Sequence, residues 1–123
     1  MSLDKFKINT LRSFVPSKDY QRCREFYKKL GFEETYYSET LIVFQAGGFS
    51  FYLQNFYNKT FAENYMMFME VDDVDEFWKY LEGLNLKNDF PKTRLRAPQT
   101  VDWGRECILI DPTGVLWHFA TFA

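Results

Sequence analysis

The chain carries one histidine, His118, and two cysteines, Cys23 and Cys107, 84 positions apart. Neither thiol has a second cysteine at the short spacing of a zinc or redox motif. Both are therefore expected to pack as small apolar side chains, with no disulfide framework. A lone histidine leaves few ways to assemble a metal enzyme. Rings are plentiful instead: Phe 14, Tyr 8 and Trp 3 make up 20% of 123 residues. Such a supply can wall a pocket for a planar heterocycle, and scattered carboxylates would meet a cationic tail on it. Trp103, which precedes Gly104, is either a flat platform for such a ligand or a packed loop aromatic.

The charge balance narrows the partners. Lys+Arg is 15 and Asp+Glu is 17, giving net charge −2 and a pI near 5.4. A nucleic-acid binder needs a basic face, so none is expected here. The longest apolar runs, Leu41–Phe44 and Cys107–Ile110, fall far short of the roughly 20 residues of a membrane helix. Residues Met1–Lys7 lack the apolar stretch of a signal peptide, so a soluble cytoplasmic protein is expected. Asn58-Lys59-Thr60 is a formal glycosylation sequon without meaning in that setting. A 46% hydrophobic share in this length supports one domain spanning 1–123.

The elements that must position these residues can be read from spacing. Ile8–Val15 reads as a strand closed by Pro16. Ser17 and Asp19 are helix caps, and Tyr20, Cys23, Phe26, Tyr27 and Leu30 then recur on one helical face before Gly31. Three strands follow over Phe32–Tyr37, Leu41–Gln45 and Phe49–Gln54, with Gly47-Gly48 as a hairpin turn. Residues 55–64 form a connection without period, and Tyr65–Val71 is another strand. Asp73 and Glu76 have the spacing of a capping box before the stripe Val74, Phe77, Leu81, Leu84. Asn85–Thr93 reads as a loop. Arg94–Thr100, broken by Pro98, reads as an edge strand. Glu106–Ile110 and Val115–Thr121 are strands joined by the turn Asp111-Pro112-Thr113-Gly114.

The order β-α-β-β-β therefore occurs twice. Phe26-Tyr27-x-x-Leu30-Gly31 is echoed 51 positions later by Phe77-Trp78-x-x-Leu81-Glu82-Gly83. Module one spans about 8–55, the connection 56–64 and module two 65–121. Later come Val71-Asp72-Asp73-Val74-Asp75, Trp103-Gly104-Arg105-Glu106, and Asp111-Pro112-x-Gly114-x-x-x-His118-Phe119. Taken in this order, these pieces resemble the vicinal-oxygen-chelate superfamily of glyoxalases, extradiol dioxygenases and bleomycin-resistance proteins. The C-terminal stretch is most similar to the bleomycin-resistance branch. The resemblance implies an α+β fold of two βαβββ modules forming a curved, cup-shaped mixed sheet with helices packed outside. It also implies a homodimer that holds a small molecule in clefts and sequesters it unaltered.

Metal-dependent members of that superfamily place His, Glu or Gln at four inward strand positions. By the resemblance these fall on Arg12, Tyr52, Met66 and His118. Arginine is a permanent cation, tyrosine a rare ligand, and methionine prefers soft metals, so three of the four are unsuited. Alternation along each strand makes the inward sets Thr10, Arg12, Phe14; Ser50, Tyr52, Gln54; Met66, Phe68, Glu70; and Leu116, His118, Ala120. Arg12 either clamps an anionic group or pairs with Glu70 or Glu106 across the sheet. The expected ligand-binding set is Arg12, Phe14, Tyr52, Gln54, Met66, Phe68, Trp103 and His118, with no catalytic residue, metal ligand or cofactor. The leading expectation is a metal-free dimeric binder of a planar or amphipathic ligand such as a bleomycin-type antibiotic. The alternative is a metal-dependent lyase or isomerase of glyoxalase type, and a third class is a metabolite sensor.

Overall fold

Eleven residues with one apolar face make the first helix, and that face decides where it packs. The computed structural model describes residues 2–123, and in it Tyr20–Leu30 is helix α1. The Asp19 carboxylate caps it by accepting from the Arg22 amide, and Gly31 ends it at φ 121°. Tyr20, Cys23, Phe26, Tyr27 and Leu30 are all buried, as the spacing requires. A side chain at Gly31 would meet the Tyr80 hydroxyl at 2.4 Å, so this cap also admits a contact from module two.

Module one holds β1 (Phe14–Pro16), then α1, then β2 (Glu33–Tyr37), β3 (Leu41–Ala46) and β4 (Phe49–Gln54). The sheet order is β1-β4-β3-β2, with β1 parallel to β4 and the other pairs antiparallel. A short helix α2 (Lys59–Glu63) leads to module two: β5 (Met66–Glu70), α3 (Val74–Gly83), α4 (Leu86–Asp89), β6 (Arg94–Val101), β7 (Gly104–Ile110) and β8 (Leu116–Phe122). Its sheet repeats the topology as β5-β8-β7-β6. The expected two-module architecture is thus present, as two mixed four-stranded sheets.

Four local expectations are corrected. The strand expected over Ile8–Val15 shrinks to Phe14–Pro16: the ladder to β4 forms only at Tyr52–Gln54, and in this register Ile8–Thr10 fall before the start of β4 at Phe49. Residues 55–64 are not without structure: the Asn58 side chain accepts from the Phe61 amide and starts α2. The loop expected over Asn85–Thr93 contains α4, entered through Asn85 at φ 52°. The capping box is half formed, since Asp73 accepts from the amides of Asp75 and Glu76 while Glu76 turns to Lys79. Pro98 acts as anticipated for an edge strand: β6 bulges between Arg96 and Gln99 around it.

One core unites the modules. Trp117 of β8 lies 5.4 Å from Phe51 of β4, 5.7 Å from Phe32 and 5.8 Å from Tyr27, ring centre to ring centre. Each such ring gains roughly 1.5–3 kcal/mol from burial. The same seam holds a polar cluster. Asp111, 1% exposed, accepts at Oδ1 from the amides of Thr113, Gly114 and Val115, each at 2.9 Å. Its Oδ2 accepts from the Tyr27 hydroxyl, which itself accepts from Trp117 Nε1 at 2.9 Å. Both cysteines are buried, and burial pushes the Cys23 thiol up to about 12 and the Cys107 thiol up to about 11. Among the described residues no helix is long and apolar enough to cross a membrane.

Candidate functional site on two open sheet faces

Strand alternation gives each sheet two faces, and the shared core takes only one from each. In sheet one, Val15 opposite Leu53 and Ile42 opposite the same Leu53 face the core, all fully buried. Their neighbours Phe14, Tyr52 and Gln54 therefore point away from it. In sheet two, Met67 opposite Trp117 and Met69 opposite Phe119 face the core. Met66, Phe68 and His118 take the other side, with Phe68 directly opposite His118.

On the first open face, Phe14 and Tyr52 lie side by side with ring centres 4.8 Å apart. The half-buried Arg12 guanidinium sits 5.1 Å from the Tyr52 ring. Its Nε donates to Ser50 Oγ at 2.8 Å and its Nη1 to Tyr52 Oη at 3.2 Å. The cross-sheet pairing of Arg12 with Glu70 or Glu106 does not occur. Arg12 precedes β1 on the other sheet, and Glu106 is committed elsewhere. Gln54 lies farther along the same face, where it lines a shallow groove with Phe56 and Phe61.

On the second open face the rings gather. Phe68 lies 5.9 Å from Trp103, 5.9 Å from Phe122 and 6.4 Å from the His118 imidazole. Trp103 and Phe122 are 5.2 Å apart. Trp103 reaches this cluster because Gly104 lets β7 close tightly on β8: a side chain there would stand 2.2 Å from the Thr121 carbonyl oxygen. Trp103 is thus packed on one side and 39% exposed on the other. His118 Nδ1 lies 2.9 Å from Glu106 Oε1, and Arg96 Nη2 donates to Glu106 Oε2 at 3.3 Å. Met66, at the start of β5, is exposed beside this cluster.

Phe122 and Glu106 complete the face and were absent from the expected set. Phe122 was readable as the next same-face position after His118 and Ala120. Glu106 follows only from the β7–β8 register, in which Ile108 stands opposite His118.

The eight expected residues therefore form two groups of four, one on each sheet. Among the described residues no hydrogen bond or ring contact joins the groups. The four positions that hold metal in relatives of the resembled superfamily are likewise split, Arg12 and Tyr52 on one sheet and Met66 and His118 on the other. Three of the four do not suit a divalent ion: one is a cation, one a phenol already accepting from that cation, and one a thioether. No cluster of three His, Cys, Asp or Glu side chains suited to a metal occurs among the described residues.

A cavity of about 950 Å³ lies elsewhere, at the start of α1 between Lys18, Arg22, Tyr37, Phe90 and Thr113. Part of its polar lining is already engaged. Cys23 meets Thr113, Tyr20 donates to the Ser38 carbonyl, and Arg22 donates to the Asp89 carbonyl. The residues that the resemblance points to lie on the open faces and not in this cavity, so the open faces remain the candidate site.

The fold agrees with what the chain resembles among known proteins. A bleomycin resistance protein of Klebsiella pneumoniae is 26% identical, over 83% of each chain. The crystal structure of the bleomycin-binding protein from bleomycin-producing Streptomyces verticillus, complexed with copper(II)-bleomycin, superposes with a TM-score of 0.80. It is 19% identical and covers 96% of this chain and 99% of that one. A further bleomycin-binding protein, crystallised with bleomycin, gives a TM-score of 0.79 at 21% identity, over 94% and 100% of the two chains. The family model described as Glyoxalase/Bleomycin resistance protein/Dioxygenase superfamily matches residues 7–119, and with the doubled βαβββ topology this establishes that the chain belongs to that superfamily.

Proposed function

We propose that this protein binds a small planar or amphipathic molecule, such as a bleomycin-type antibiotic, and sequesters it unaltered without a metal. The observation that carries this reading is the pair of open, ring-lined faces. One is built on Phe14 and Tyr52, the other on Phe68, Trp103 and Phe122. Rings fixed on strands offer a rigid stacking surface at little entropic cost. The donor chemistry at the four superfamily metal positions supports the metal-free form, and the bleomycin-binding relatives support the ligand class.

The site works as a homodimer in this reading. Each face points away from the shared core and, among the described residues, no hydrogen bond or ring contact joins the two groups within the chain, so a cleft with two walls arises when the Tyr52 face of one copy meets the His118 face of another. The exposed aromatic area on both faces also calls for a cover in water. Arg12, Phe14, Tyr52 and Gln54 form one wall; Met66, Phe68, Trp103 and His118 form the other. Calorimetric titration of the purified protein with bleomycin, alongside sedimentation equilibrium, tests this. Heat at one or two sites per dimer is expected, and absence of heat at micromolar protein removes the bleomycin-specific version.

A further inference from the structure

We infer that the ligand of this site carries an anionic group, taken by Arg12, next to the planar part that stacks on the rings. The inference rests on the binding reading above and narrows its ligand class to planar acids, in place of ligands with a cationic tail. Its basis is the charge inventory of the two open faces. On the second face the central carboxylate, Glu106, is compensated twice, by Arg96 at one oxygen and His118 at the other. It has little left with which to hold a cationic tail. The other carboxylates of the open faces, Glu33 and Glu70, are exposed at a strand start and a strand end.

Arg12 is the opposite case. It is half-buried between the rings and Ser50, and no carboxylate pairs with it among the described residues. The hydroxyls of Ser50 and Tyr52 hold its Nε and Nη1 edge, while Nη2 has no acceptor among the described residues. A guanidinium fixed in this way is pre-organised for an oxyanion. A carboxylate, sulfonate or phosphate would find charge-assisted hydrogen bonds beside a stacking surface.

Three probes with one ring system separate the possibilities: 2-naphthoate, 2-naphthylmethanol and 2-naphthylmethylammonium, each titrated by calorimetry at low salt. The expected order places 2-naphthoate about tenfold tighter than the alcohol, with the ammonium weakest. Arg12→Gln should erase the preference for naphthoate, weakening naphthoate about tenfold and the alcohol by much less, and Arg12→Lys should keep part of it. Tighter binding of the ammonium, or equal loss for all three probes in Arg12→Gln, overturns the inference while the binding reading stands. Weaker dimer association in Arg12→Gln with unchanged probe preference also overturns it, assigning the guanidinium to the subunit contact. Binding of none of the three probes up to millimolar concentration counts against the binding reading itself, and the inference falls with it.

Discussion

His118 and Glu106 pair across neighbouring strands of sheet two, Nδ1 to Oε1 at 2.9 Å. The carboxylate fixes the imidazole plane and leaves Nε2 for the open face. Because Arg96 holds the second oxygen, the carboxylate is the centre of a three-residue cluster rather than one end of a pair.

Replacing Glu106 by Gln should therefore act mainly on binding. The imidazole loses its charged anchor and Arg96 its partner, yet the cluster is at the surface of the core. A stability loss of about 1 kcal/mol or less is expected, read by urea denaturation, with a larger proportional loss of ligand affinity. A variant that binds as the parent does would remove His118 orientation from the account.

The buried carboxylate at the module seam behaves differently. Asp111→Ala orphans three backbone amides and the Tyr27 hydroxyl, and should cost about 3–5 kcal/mol. Burial holds the Asp111 carboxyl above its ordinary value, against the pull of its hydrogen bonds. The folded state therefore keeps this proton more readily than the unfolded chain. Its contribution to stability is greatest in acid and diminishes as pH rises through the folded value. Asp111→Asn should remove that negative slope, seen by comparing denaturation midpoints of parent and variant across the acid range.

Gly104 is expected to tolerate no side chain. A Cβ would press on the Thr121 carbonyl oxygen and on Phe122 Cα, the latter at 3.0 Å. Gly104→Ala should cost about 2–4 kcal/mol by forcing β7 from β8. It should also loosen Trp103 from Phe122, which a red-shifted tryptophan emission would report.

The N-terminal arm offers a test of association separate from folding. Leu3, Phe6, Ile8 and Leu11 are all exposed, Leu11 at 93%. None belongs to the core cluster. Removing residues 2–9 should leave the melting transition of the subunit nearly unchanged while weakening self-association, measured by sedimentation equilibrium. Equal association of the truncated and complete chains would place the dimer contact elsewhere.

Much of this arrangement was legible in the sequence because strands alternate with a strict period of two. Phe14 with Tyr52 and Phe68 with His118 share faces as the alternation requires, and the helix stripe from Tyr20 to Leu30 is buried throughout. What stayed hidden depends on partners distant in the chain. The length of β1 is set by its ladder to β4, which forms only at Tyr52–Gln54 and which Ile8–Val15 do not encode. The partner of Arg12 is set by which sheet it lies on, so the neighbouring Ser50 and Tyr52 prevail over the distant Glu70 and Glu106. Helix α2 depends on the Asn58 cap in a stretch whose composition shows no period.

The central claim, a ligand site walled by two copies, is tested most directly by mixing two disabled variants. Tyr52→Ala damages one wall and His118→Ala the other, and each alone should lose binding of bleomycin or 2-naphthoate, whichever the parent takes. Co-refolded together, they form mixed dimers in which one cleft has both intact walls. Calorimetry should then recover one site of parental affinity per mixed dimer. A mixture as inert as its components would contradict the account, as would either variant binding normally alone.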